Sequence, residues 1–171
     1  MSQFKLEKLS GRDVVFALAL AFACLLTFWI STAALVGFVG RPADLLDGMW
    51  AAISAIFVFR DTSPRSVSAG IDRLIATCVS FAICLPYLWF APSTPLGMAA
   101  LVAVGTLIVL GLGRREDIVL VGITTTVVMI CAAIDPHKAW SQPILRLTDT
   151  VIGVIIGVIC KWVTDFMLHE I

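Results

Sequence analysis

One short signature, Arg-Leu-x-x-Thr, occurs twice in this sequence, as Arg73-Leu74…Thr77 and as Arg146-Leu147…Thr150. Each copy stands at the mouth of an apolar stretch. A guanidinium is planar, permanently charged and shaped to hold a carboxylate by two parallel hydrogen bonds, and hydrocarbon rarely tolerates one without a reason. Arg73 and Arg146 are therefore candidates to attract an organic anion, with Thr77 and Thr150 offering hydroxyls one helical turn further on. The opposing reading is that each arginine snorkels to its own interface. Asp149, three residues after Arg146, shares its helix face and lies about 4.5 Å deeper. An acid inside a span is a candidate proton carrier; the alternative is an Arg–Asp pair that only keeps the helix mouth neutral. Arg60 and Trp50 complete the candidate substrate-binding set: Trp50 opens a short apolar segment, and Arg60, Asp61, Thr62, Ser63 and Pro64 follow it. If that segment ends inside the membrane, these groups line a water-filled vestibule; otherwise they form an ordinary loop.

The elements that carry these residues belong to a membrane protein. The chain has 171 residues, of which 60% are hydrophobic and only 14% charged, with a mean hydropathy of +1.01. An ordinary soluble domain is about 45–50% apolar and roughly 25% charged. Twelve basic and 12 acidic side chains cancel, which leaves no electrostatic footprint for nucleic acid. Cys24, Cys78, Cys84, Cys131 and Cys160 all sit in apolar runs, without a CxxC pair or a neighbouring ligand set, and read as small buried hydrophobes. No metal and no cofactor is expected. Ser, His and Asp do not converge by spacing and no phosphate-binding glycine loop is present, so neither an enzyme nor an ATP-driven pump is expected.

Uncharged stretches mark the spans. Residues 1–13 form a basic N-terminal segment with Lys5, Lys8 and Arg12, and the run from Val14 to Val39 is too long for a secretory signal, so it reads as a retained helix. The second stretch, Gly48–Phe59, holds 12 residues between Asp47 and Arg60. At 1.5 Å per residue it covers about 18 Å of a roughly 30 Å core. The third runs from about Leu74 to Phe90 after a small polar stretch, Ser63–Asp72; Pro92 and Pro95 turn it into the fourth, Leu96–Leu112. The charged loop Arg114–Asp117 leads to the fifth, Ile118–Ile134, and the sixth begins near Pro143. With the N-terminus inside, Lys5, Lys8, Arg12, Arg60, Arg65, Arg73, Arg114, Arg115 and Lys161 fall on the inner side. Only Arg41, Lys138 and Arg146 stay outside, as the positive-inside rule requires. Trp50, Trp89, Trp140 and Trp162 lie near span ends as an aromatic belt, and Trp29 does not.

Superposing Arg73 on Arg146 lays helix two over helix five and helix three over helix six, giving repeat one at about 14–91 and repeat two at about 96–167. Three spans per half make the second half inverted, a recurring device of secondary transporters with the site between the repeats. Arg73 then enters from the inner face and Arg146 from the outer. Gly153 and Gly157 form a GxxxG that serves either packing within the chain and against lipid or a dimer contact, and Ala76 and Ser80 offer a weaker small-xxx-small on helix three. Asp72 is expected to be an interfacial partner of Arg65 or a cap. Thr124, Thr125 and Thr126 either face substrate or satisfy their own helix carbonyls, and His137 reads as part of a solvated outer turn.

Trp50 opening a short second helix, then Arg73-Leu-Ile-Ala-Thr77, resembles the fusaric acid resistance and aromatic acid exporter superfamily, whose members carry an Arg followed by a Gly-Thr pair here. The tail Arg146-Leu-Thr-Asp149-Thr150-Val-Ile-Gly153 resembles that family's final helix, and the resemblance covers roughly residues 14–165. Ala76 stands where the family has Gly. Many relatives also append a cytoplasmic region or a second membrane half, so this chain is expected to work as an oligomer or to be a half-unit. The resemblance implies proton-linked efflux, or channel-like passage, of aromatic or other organic carboxylates; plant proteins that look similar pass malate through a dimer.

The expectation is a single all-α membrane domain of six transmembrane helices in two inverted three-helix repeats, in a bacterial inner membrane with both termini cytoplasmic. It is expected to export organic anions as a homodimer or higher oligomer, with Asp149 in proton coupling. The competing readings are an organic-anion channel and a non-transporting scaffold.

Overall fold

A computed structural model describes residues 10–39, 45–60 and 62–169, with the side chains of 34–39, 45–47, 138 and 169 left out. Lys5, Lys8, Arg41 and Asp61, and the side chain of Lys138, on which part of the charge bias and of the vestibule rests, lie outside the described residues. Among the described residues six α-helices follow one another: α1 Gly11–Val39, α2 Leu45–Val58, α3 Ser63–Phe90, α4 Pro95–Gly111, α5 Ile118–Ile134 and α6 Gln142–His169. Short 3₁₀ turns at Arg115–Asp117 and Pro136–Ser141 lead into α5 and α6. Among the described residues, four helices are long and apolar enough to cross a membrane: α1, α3, α5 with its preceding turn, and α6. The six expected segments are thus present as helices, but α2 and α4, with 14 and 17 residues, fall short of crossing length. At 1.5 Å per residue α2 spans only about 21 Å.

Being short, α2 is packed inside, between α1 and α6, where Ala51, Ser54, Ala55 and Val58 are fully buried. The other long packing surface joins α3 to α6 and α5, with α4 outermost against α5. Cys84 and Leu88 of α3, Leu101 of α4, and Val128, Met129 and Ala132 of α5 form the apolar core of that half. Opposite faces of α1, α4 and α6 leave Leu18, Phe22, Trp29, Leu107, Ile155 and Trp162 exposed, as a hydrocarbon solvent permits.

Helix α3 begins at Ser63, about ten residues earlier than its apolar run announces. Thr62 is extended, Pro64 sits in the first turn where its missing N–H costs nothing, and the cap is supplied from elsewhere in the chain. Asp165 of α6 accepts hydrogen bonds from Ser63 N at 3.0 Å and Ser63 Oγ at 2.5 Å. The polar stretch is helical because Ser66, Gly70 and Arg73 recur at helical spacing on its buried face. Since Ser63 meets Asp165 near the end of α6 while Thr77 meets Thr150 near its start, the two 28-residue helices run antiparallel.

The GxxxG of α6 is used within the chain, against α2. A Cβ added at Gly153 would fall 2.3 Å from the Ala51 carbonyl oxygen, and one at Gly157 3.2 Å from Ala55 Cα. The backbone of a packed helix cannot give way as a flexible side chain does. Gly153→Ala is therefore expected to destabilise the protein by about 2 kcal/mol, seen as a lower unfolding midpoint in detergent. Gly122→Ala, where nothing lies within 4 Å, is expected to leave the midpoint unchanged or raise it; equal effects of the two would contradict the tight α2–α6 contact.

Candidate functional site

Arg73 lies ten residues into α3, one turn before the Thr77–Thr150 crossing, and its side chain is completely buried. It is enclosed by the protein rather than extended along its surface. Its guanidinium carbon sits 4.9 Å from the ring centre of Trp50 and 4.8 Å from that of Phe57, both on α2. Those rings attract the cation through their π faces, yet a ring face accepts no conventional hydrogen bond from the edge of the guanidinium. Nε, Nη1 and Nη2 of Arg73 have no hydrogen-bond partner among the described residues, and neither has the buried indole Nε1 of Trp50. Every unmatched polar atom in this cluster is a donor. Trp50, at 3% exposure, is thus no part of an aromatic belt; Trp89 and Trp140 are exposed and meet edge to face at 6.2 Å.

A cavity of about 270 Å³ opens beside this cluster, lined by Arg73, Phe57, Arg60, Ala69 and Leu120 together with the acids Asp72, Glu116 and Asp117. Arg60 is exposed, and its backbone N–H donates to Ser66 Oγ at 3.0 Å, which fixes the break between α2 and α3. Asp72 pairs neither with Arg65 nor with a helix end, as its position in sequence led one to expect; it binds Nη2 of Arg114, whose Nε binds Asp117.

Arg146 and Asp149 occupy a second buried centre. Arg146 Nη1 lies 3.3 Å from Asp149 Oδ2, and both side chains are nearly or fully buried. Ser31 of α1 donates to Asp149 Oδ1 at 3.0 Å. Here too the arginine is held inside, and the Arg–Asp pair expected from the three-residue spacing is made. Between the two centres Thr77 Oγ1 and Thr150 Oγ1 approach to 3.5 Å across 73 residues of sequence. Each hydroxyl also donates to the carbonyl of its own arginine, at 2.8 Å for Arg73 and 2.7 Å for Arg146. In antiparallel helices the two arginines therefore lie on opposite sides of the crossing, about 12 Å apart along the bundle by the helical rise. They are not brought into one pocket.

Thr124 donates to its own helix at Leu120 O, 2.8 Å away, whereas Thr125 bridges to Ser80 Oγ on α3 at 3.1 Å. His137 is exposed in the turn before α6. Sequence reasoning missed Phe57, Ser31 and the pair of Lys161 with Asp165 at 2.6 Å. Phe57 stands seven residues after Trp50 and so shares its helix face. Ala23, Thr27 and Ser31 form a small, polar stripe along an otherwise greasy α1, and that stripe was the available signal.

These features define a multi-pass α-helical membrane protein with buried arginines in its interior. The chain belongs to the fusaric acid resistance protein-like family of membrane transporters, whose sequence profile matches residues 33–160. No curated protein and no solved structure matches it.

Proposed function

We propose that this protein exports organic carboxylates and that Arg73 is where it holds them. The observation that supports this is the buried, donor-only cluster of Arg73 and Trp50 beside a cavity large enough for a small organic anion. A desolvated guanidinium costs several kcal/mol unless an anion pairs with it, and a planar carboxylate offers four lone-pair sites to the fork. Arg60 in the cavity lining adds positive charge beside Asp72, Glu116 and Asp117, and Thr77 and Thr150 contribute hydroxyls one turn beyond each arginine. In this reading the halves 14–91 and 96–167 are two inverted three-helix repeats, Arg146 is the mirror of Arg73, and Asp149 takes up and releases the coupling proton. The protein sits in a bacterial inner membrane with both termini cytoplasmic. It functions as a homodimer, because six helices, two of them short, give one copy little wall around a solute.

The test is flux of benzoate and of a dicarboxylate in proteoliposomes, with and without a pH gradient. Export coupled to protons gives flux that follows the gradient and changes internal pH in step. A channel gives current that persists when the gradient is collapsed. Absence of flux for every carboxylate sinks the transport reading and leaves a scaffold.

A further inference from the structure

The cavity that holds Arg73 has a neighbour. A second hollow of about 260 Å³ is lined by Asp72, Gly113, Arg114, Arg115, Glu116 and Asp117. Asp72, Glu116 and Asp117 belong to both, so the ion pairs of Arg114 stand in the wall between them. One acid of that wall, Asp72, directly precedes Arg73 on α3; the other, Asp117, begins α5.

The backbone under Arg114 is pinned. Gly113 adopts φ +74°, and the Arg114 and Gly113 amides return to Val109 O and Leu110 O, both at 3.0 Å. That is a glycine-closed helix end in which the positive φ excludes most side chains. Among the described residues, the Arg114 side chain, about one-third exposed, is held only by its two ion pairs. Its hydrogen bond to Asp117, helped by that to Asp72, pushes the guanidinium above its ordinary pKa, so it stays charged.

Resting on the reading of Arg73 as a carboxylate site, we propose that Arg114 is the latch of that site and the first group to hold the arriving anion. Seated between Asp72 and Asp117, which line both hollows, its side chain ties the shared wall of the Arg73 cavity to the α4–α5 turn. A carboxylate in the outer hollow competes with two acids of its own chemistry for the same fork. When it wins, the tie between α3 and the α4–α5 turn is broken, and the next guanidinium inward is Arg73, which has no acid to displace. The exchange is one of like for like: one carboxylate leaves the guanidinium as another arrives. The two acids therefore set affinity as well as closure, since an arginine already satisfied binds a newcomer less tightly.

The experiment places a thiol in the inner cavity by Ala69→Cys, in protein whose five native cysteines are replaced, and follows its modification by an anionic thiosulfonate. Arg114→Gln is expected to raise the modification rate about tenfold, because it removes both ties of the wall, and Asp72→Asn about fivefold, because it removes only the more exposed one. For benzoate flux, Arg114→Gln raises KM several-fold whereas Asp72→Asn lowers it, since it frees Arg114. A merely structural clamp would move both variants in the same direction. Unchanged modification in Arg114→Gln, or KM shifts of the same sign, overturns the latch. Loss of flux in Arg73→Met together with either result leaves the carboxylate site standing; full flux in Arg73→Met removes the site itself. Asp72→Asn and Arg114→Gln together restore an uncharged contact and keep the comparison open if one variant fails to assemble.

Discussion

Arg73→Met lowers carboxylate flux about 100-fold and at the same time makes the protein harder to unfold. The loss follows from removing two charge-assisted hydrogen bonds to the anion, each worth about 1.5–3 kcal/mol. The gain in stability follows from the environment of the side chain. Arg73 is fully buried, its three nitrogens lack partners, and it leans on Trp50 and Phe57 rather than on a carboxylate. Even buried ion pairs are often replaced by well-packed apolar side chains at no loss or with a gain of about 1–4 kcal/mol, and the Arg73 guanidinium lacks the pairing that offsets burial. Flux in proteoliposomes and unfolding midpoint in detergent read the two effects separately. Arg73→Lys sharpens the result: an ammonium keeps the charge and loses the fork, so flux is restored only in part. A Met variant that transports normally, or that loses stability along with flux, would falsify the assignment.

The second large effect belongs to Asp149. Asp149→Asn removes the carboxylate that faces Arg146 Nη1 at 3.3 Å in a buried site, and breaking such a pair costs about 3–5 kcal/mol. Yield and unfolding midpoint should both fall. The double variant Arg146→Gln with Asp149→Asn removes both charges and recovers most of the loss, a coupling that a double-mutant cycle measures directly. Flux of the rescued double variant then addresses the proton. If Asp149 carries it, a pH gradient no longer drives export although passive exchange persists. If gradient-driven export survives in the double variant, Asp149 serves only to hold Arg146 and Ser31 in place.

Much of this was legible from spacing. Runs without charge located all six helices, and Arg146 with Asp149 announced its own ion pair because three residues on a helix are neighbours. What failed were statements about distance in space between residues far apart in sequence. Trp50 has the address of a belt residue, but α2 is packed inside the bundle and buries the indole against Arg73 of α3. The polar residues 63–72 look like a loop until Asp165, a hundred residues away, caps them. Asp72 finds Arg114 rather than Arg65 because the α4–α5 turn folds back beside α3. The GxxxG carries no partner's name; Ala51 and Ala55 supply it. The family profile extends from residue 33 to 160 and so includes both arginines. It fixes the class of the protein, while the separation of the two guanidiniums on opposite sides of a crossing is a property of the fold.

That crossing has a mechanical meaning. Thr77 and Thr150 each spend their proton on their own helix, so the 3.5 Å approach between them is contact without an obligatory bond. Two antiparallel helices that touch at such a point are balanced on a fulcrum. A tilt of α3 on α6 about it swings Arg73, one turn from the pivot on α3, while Arg146, one turn from the pivot on α6, keeps its place on the other helix.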